Sequence, residues 1–179
     1  MKTTRNGLDL VAYATVTTPL GESLVAASTR GVCFHSLGGT GAKRRLEQWV
    51  ARHEPGARLV HDPRTLAPVL RQVREYWAGK RQEFELALDP RGSEFQLAVW
   101  RAEARIPFGQ TRTYAEIARA IGRARASRAV GGATGRNPLP LFVPCHRVLA
   151  TGGIGGFTGG LEKKRALLAR EGLAGEFAD

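Results

Sequence analysis

Sulfur is scarce in this chain of 179 residues: there are two cysteines, Cys33 and Cys145, and one methionine. Two cysteines far apart cannot form a disulfide framework or a zinc cluster of the CxxC kind. Histidine is scarce too, with four in all and no H-E-x-x-H pattern, so a zinc-hydrolase centre of that type is excluded. The glycine-rich stretch 151–160 contains six glycines. It lacks G-x-G-x-x-G, because Thr158 occupies the last place counted from Gly153 and Gly155, and no Walker A run occurs. The nucleotide cradles built on those motifs are therefore excluded. No run of ~18 apolar residues is present, so nothing spans a membrane as a helix. Residues 1–7 lead into no apolar signal region. Free thiols in a cytosolic protein, nucleoid-associated in a bacterium, are the expectation.

Acidic residues are the other shortage. Lys and Arg number 27 against 16 Asp and Glu, a formal net charge of +11. Such an excess suits a polyanionic partner such as nucleic acid; an inert basic surface is the alternative. Residues 1–90 hold 13 basic and 9 acidic residues, whereas residues 91–179 hold 14 and 7. The second half is thus the side expected to meet the polyanion. What is present in ordinary measure is core-forming material, 42% hydrophobic and 24% charged residues, enough for one large or two small domains.

Residues 10–16, 23–27 and 31–35 read as short strands around the turn Pro19-Leu20-Gly21. Leu46, Trp49 and Val50 then take helical spacing, as do Leu66, Val69, Leu70, Val73 and Trp77, with Gly79 closing the second helix. Residues 84–88 alternate like a strand. This predicts an α+β N-terminal module, a small β-sheet plus helices, over residues 1–88. Asp89-Pro90-Arg91-Gly92 is a turn cluster. Beyond it, residues 89–179 predict a mainly α C-terminal domain.

In that second domain Ser93 can cap a helix carrying Phe95, Leu97, Val99 and Trp100. Ile106-Pro107-Phe108-Gly109 breaks it. Thr113 with Glu116 forms a capping box for a helix over residues 114–121, closed by Gly122. A further helix opens near Ser127 and runs to about Gly135. It is built of small residues: Ala126, Ala129, Gly131, Gly132 and Ala133. Two short helices joined by a brief glycine-containing turn predict a winged-helix-like helix-turn-helix. Small side chains on the second helix let its backbone lie close to a partner. Between residues 112 and 136 there are six Arg and one acid, Glu116, which favours DNA over two helices packed in a core.

The chemistry centres on Pro144-Cys145-His146-Arg147-Val148, delivered by the apolar run Leu141-Phe142-Val143. A free thiol of pKa ~8.5 needs a base or a positive environment to react near neutral pH. His146 is adjacent in sequence, and adjacent side chains diverge, so a direct bond between them is awkward. A bridging water solves this, and an acid such as Glu171 can orient the other ring nitrogen. Spacing does not single out that acid. A buried structural cysteine, a capping histidine and Arg147 as an ion-pair partner fit the same segment.

These residues resemble the O6-alkylguanine-DNA alkyltransferases, also called methylated-DNA–protein-cysteine methyltransferases. The matching pieces are Phe95-Gln96-Leu97-Ala98-Val99-Trp100, Ile106-Pro107-Phe108-Gly109-Gln110-Thr111 and Tyr114-Ala115-Glu116-Ile117-Ala118. They continue with Arg128-Ala129-Val130-Gly131, Asn137-Pro138, the Cys145 segment and Gly156-Phe157-Thr158-Gly159-Gly160-Leu161. Order and spacing hold across residues 89–172.

The resemblance implies irreversible transfer of an alkyl group from O6-alkylguanine, and from O4-alkylthymine as a second substrate, to Cys145, once per molecule and without cofactor or metal. It implies a monomer, with cooperation along DNA an open matter. The partner is duplex DNA carrying an alkylated base, bound through the minor groove with the nucleotide flipped out. Arg128 would fill the gap in the stack, with Thr113, Ala129, Arg123 and Arg136 at the DNA surface. Tyr114 would press on the phosphate and donate to the purine, and Asn137 would hold the turn before the active site. Val148, Phe157 and Thr158 would line the substrate pocket, with His146 and Glu171 activating the thiol. Phe108 and Phe157 stand where Tyr is common, and Thr113 and Thr158 where Ser is common, which bears on fine substrate preference. Three rivals remain: a noncatalytic lesion sensor, which would lack the cysteine; a helix-turn-helix regulator; and a cysteine hydrolase, which needs an oxyanion hole and a base in direct reach.

Overall fold

The computed structural model describes residues 4–5 and 8–175. It divides into two compact units, Met1–Arg91 and Gly92–Asp179.

In the first unit β1 (Thr4–Arg5), β2 (Leu8–Thr18), β3 (Gly21–Ser28) and β4 (Gly31–Ser36) pair in that order, each antiparallel to the next. β5 (Arg58–His61) joins β2 in parallel. The helix α1 (Ala42–His53) sets Leu46, Trp49 and Val50 on Val11, Leu24, Ala26, Cys33 and Phe34 of the sheet. Each such side chain contributes roughly 1.5–3 kcal/mol through burial. α2 (Ala67–Trp77) buries Val69, Leu70, Val73 and Tyr76 at helical spacing. Gly31, at φ 144°, leaves no room for a side chain, since a Cβ there would stand 2.3 Å from the Ala87 carbonyl oxygen.

Two expectations fail here. Residues 84–88 form no strand; a single bridge joins Val32 to Leu88. The reason is local: the Gln72 amide donates to the Glu85 carbonyl at 3.2 Å and accepts from its N–H at 2.9 Å, using the groups a neighbouring strand would need. Conversely, β5 was not expected. It buries no side chain fully, so it carries no alternation to read.

In the second unit α3 (Glu94–Glu103) starts at a reciprocal capping box between Ser93 and Gln96. α4 (Tyr114–Ala120) starts at the same device between Thr113 and Glu116. Gly122, at φ 69°, turns the chain, and α5 (Ser127–Thr134) follows. α5 packs on both α3 and α4, and the Trp100 indole donates to the Ala133 carbonyl at 3.0 Å. The short 3₁₀ turn η1 (Cys145–Arg147) leads into β7 (Val148–Leu149). β7 pairs in parallel with β6 (Arg112–Thr113), placing the start of α4 beside the residues after Cys145. α6 (Leu161–Arg170) closes the unit and also contacts η1. No helix among the described residues is long and apolar enough to cross a membrane.

Candidate active site

The approach to Cys145 is held by Asn137. Its side chain accepts from Leu139 N–H at 2.9 Å and donates to the Val143 carbonyl at 2.8 Å, closing the connector on itself. Inside it Leu141 sits at φ 79°, a conformation that costs a non-glycine residue roughly 1–3 kcal/mol. The connector is buried, so this strain is held in place by packing.

Cys145 itself is 5% exposed. Burial pushes its thiol up to about 12, and the neighbouring Glu103 carboxylate adds to the rise. A hydrogen bond from Asn137 and the charge of Lys164 act in the opposite sense. The resting group is therefore a neutral thiol that must give up its proton to react.

His146 is fully buried, and its Nε2 lies 2.8 Å from Glu171 Oε1. Burial lowers the imidazole pKa more than the Glu171 carboxylate raises it, so the ring is neutral. A carboxylate only accepts hydrogen bonds, which assigns the ring proton to Nε2. Nδ1 is then a basic lone pair, and it has no hydrogen-bond partner among the described residues.

Glu171 caps the end of α6 and gathers several donors. Besides His146, Arg147 donates to it twice, from Nε and a terminal nitrogen, both at 2.8 Å. The Gly109 N–H donates at 3.2 Å. Burial alone would raise the carboxyl, but the bonds from His146 and Arg147 outweigh it and hold it at about 2. The remaining guanidinium nitrogen of Arg147 donates to the Ile106 carbonyl at 2.6 Å. Arg147 is thus an ion-pair partner that fixes Glu171.

Around the thiol the glycine-rich loop is tied down from below. Lys164, fully buried on α6, donates to the carbonyls of Val148 and Ile154 at 2.7 Å and of Gly156 at 3.2 Å. The Tyr114 hydroxyl donates to Gly156 at 3.4 Å, and burial raises its pKa, with Glu103 and Cys145 adding to the rise. Thr158 donates to the Gly135 carbonyl at 2.8 Å, joining the loop to the end of α5. The half-buried Phe157 ring lies so close to Gly159 that a Cβ there would stand 3.0 Å away.

Arg112, Arg119, Arg123, Arg125, Arg128 and Arg136 are all exposed, as are Ala129 and Gly132. Arg136 bends back to the Gly132 carbonyl at 3.0 Å. The Thr113 hydroxyl is occupied by the capping box with Glu116.

The structure therefore brings Cys145, His146, Glu171 and Asn137 together, with Tyr114, Val148, Phe157 and Thr158 in the surrounding segments. Sequence reasoning missed Lys164 and Glu103. Both were visible as breaks in helical apolar patterns: Lys164 precedes Leu167 and Leu168 by three and four residues, and Glu103 follows Trp100 and Val99 likewise. Among the described residues no group of His, Cys, Asp and Glu can hold a metal ion.

Two family profiles together match most of the chain. The 6-O-methylguanine DNA methyltransferase ribonuclease-like domain matches residues 11–90, and the DNA-binding domain of the same name matches residues 94–173. A methylated-DNA–protein-cysteine methyltransferase of Mycolicibacterium paratuberculosis is 42% identical over 163 residues, covering 90% of this chain and 93% of that one. The crystal structure of Mycobacterium tuberculosis O6-methylguanine methyltransferase superposes with a TM-score of 0.77 at 38% identity, over 90% of this chain and 92% of the other. The same organism's protein in complex with DNA gives 0.76 at 35% identity, over 91% and 94%.

Proposed function

This chain belongs to the methylated-DNA–protein-cysteine methyltransferase family, and on that premise we propose that Cys145 is the acceptor through which it repairs alkylated DNA directly. The observation that carries the assignment is the pair Cys145–His146: the residue after the buried thiol is an imidazole held at Nε2 by Glu171, with a basic Nδ1 that has no partner among the described residues. A water between them passes the thiol proton to Nδ1. The thiolate attacks the alkyl carbon attached to O6 of guanine. The S–C bond forms as the C–O6 bond breaks, and the electron pair leaves with the base. Guanine leaves more readily with a hydrogen bond or proton supplied to it, which is the role given to Tyr114. The product is a thioether that no group here hydrolyses, so each molecule acts once. The reaction draws on no cofactor.

DNA binds along α4 and α5, where six arginines are exposed and meet phosphate. The small exposed side chains of α5 permit close approach to the minor groove. The damaged nucleotide leaves the stack to reach the thiol, since a stacked base hides its O6. Arg128 enters the gap, and its guanidinium pairs with the orphaned base. O4-alkylthymine is a second substrate of the same pocket. The protein works as a monomer in the cytoplasm, at the nucleoid in a bacterium.

Incubation with duplex DNA containing O6-methylguanine should add ~14 Da to the peptide holding Cys145, a methyl replacing hydrogen. An unmodified peptide from protein that has bound the lesion would overturn the assignment. Arg128→Ala should slow single-turnover transfer on duplex DNA about tenfold or more while sparing a single-stranded substrate, which has no partner strand to leave. Equal losses on both substrates would count against the finger role.

A further inference from the structure

Four charged side chains among the described residues are buried near Cys145: Glu171, Arg147, Lys164 and Glu103. Glu171 holds His146, Arg147 pairs with Glu171, and Lys164 holds the glycine-rich loop. Glu103, fully buried at the end of α3, has no part in the transfer described above. Its Oε1 accepts from the Thr134 hydroxyl at 2.5 Å, and its Oε2 has no hydrogen-bond partner among the described residues. A buried carboxylate half-bonded in this way is poorly tolerated as an anion but acceptable as a neutral acid. Burial accordingly lifts its carboxyl to about 7, against the opposing pulls of Thr134 and Lys164.

The groups facing it are few. α5 contributes the uncharged Thr134. α4 contributes Tyr114, η1 contributes Cys145, and α6 contributes Lys164, each within electrostatic reach. His146 directs its Nε2 to Glu171, and Arg147 directs its guanidinium to Glu171 and Ile106 instead. Of the charges acting on the Cys145 sulfur, Lys164 favours the thiolate and Glu103 opposes it. The balance at the sulfur therefore turns on whether Glu103 carries its proton.

We propose that Glu103 is a positioning residue for the alkyl transfer: it holds a proton beside Cys145 while the thiolate forms, and slows the reaction when that proton is lost to water. The bond to Thr134 places this group against α5, next to the Trp100–Ala133 contact. The device thus sits between the DNA-facing helix and the nucleophile. The inference rests on Cys145 being the acceptor.

The test compares wild type with Glu103→Gln, which keeps the shape and stays neutral at every pH. Single-turnover transfer from duplex DNA carrying O6-methylguanine is followed across pH, with the Cys145 peptide weighed in each sample. The variant should match wild type at about pH 6 and exceed it about tenfold at about pH 8.5, where a nearby anion no longer opposes the thiolate. A melting series gives an independent reading. The folded carboxyl is raised above its unfolded value, so the fold binds this proton more tightly and loses stability as pH rises through that interval. The difference in Tm should therefore shift in favour of Glu103→Gln between about pH 5 and about pH 8. A transfer ratio that stays constant across pH overturns the proposal while leaving Cys145 as acceptor. A wild type that places no methyl on Cys145 overturns both.

Discussion

Cys145→Ala is expected to abolish alkyl transfer completely while leaving DNA binding close to wild type. The loss should be total because no second sulfur can substitute. Cys33 lies in β4 at the centre of the first unit's core, fully buried, with its Sγ 3.6 Å from the Ala26 carbonyl. Burial pushes that thiol up to about 12, with Asp89 adding to the rise. Cys33 is thus a small core side chain, inert by the same reasoning that makes buried thiols unreactive. The difference between the two thiols is not their resting acidity, since both are held high. It is the base: Cys145 has a neutral imidazole in the next residue with a free lone pair, and Cys33 has a backbone carbonyl. Removing one sulfur from the Cys145 site leaves a small void, costing about 1 kcal/mol, and touches none of the exposed arginines. A gel shift on lesion DNA should therefore be retained while the mass increment disappears. A methyl recovered on the Cys33 peptide would reassign the acceptor.

The parts of this architecture that were legible beforehand are those written locally. The capping boxes Ser93/Gln96 and Thr113/Glu116 are each contained in four residues, and both form. Cys145 and His146 are adjacent, which makes a direct bond between them awkward and favours a bridging water; Nδ1 has no direct partner among the described residues. What escaped is what depends on partners far along the chain. The strand expected at 84–88 was displaced by one amide, Gln72, thirteen residues earlier. Glu171 was named as a candidate acid, but its hold on Arg147 and Gly109 is a property of the folded chain. Lys164 lies in a run of charged residues that looks solvated until its spacing to Leu167 and Leu168 is counted. The same count places Glu103 under Trp100. A charge standing on the apolar stripe of a helix was the available signal for both, and it points to a buried polar role.

Glu171→Gln is expected to damage both fold and reaction, for separable reasons. The substitution removes the counter-charge bonded to the buried Arg147 guanidinium. Leaving one member of a buried pair uncompensated costs about 3–5 kcal/mol, so Tm should fall well below that of wild type. The same carboxylate governs acid stability. Its folded pKa, about 2, lies below the ordinary 4.5. A depressed carboxyl stabilises above its unfolded value, and that contribution is lost as pH falls from about 4.5 towards 2, roughly 3 kcal/mol across the interval. His146 acts in the same direction: its lowered pKa means the unfolded chain takes up a proton first as pH falls below about 6.5. Glu171→Gln should thus lack the Glu171 part of this acid loss, below about pH 4.5, and keep the His146 part. For the reaction the point is the tautomer. A carboxylate can only accept, which keeps the ring proton on Nε2 and the lone pair on Nδ1; an amide can turn its NH₂ towards Nε2 and move the proton to Nδ1. The base would then face away from Cys145, and general-base catalysis of this kind is worth about 10²–10⁴-fold. Single-turnover rates measured on the folded fraction at low temperature should therefore drop at least a hundredfold, beyond what lost stability explains. A folded variant transferring at the wild-type rate would remove Glu171, and with it the oriented His146, from the path of the proton.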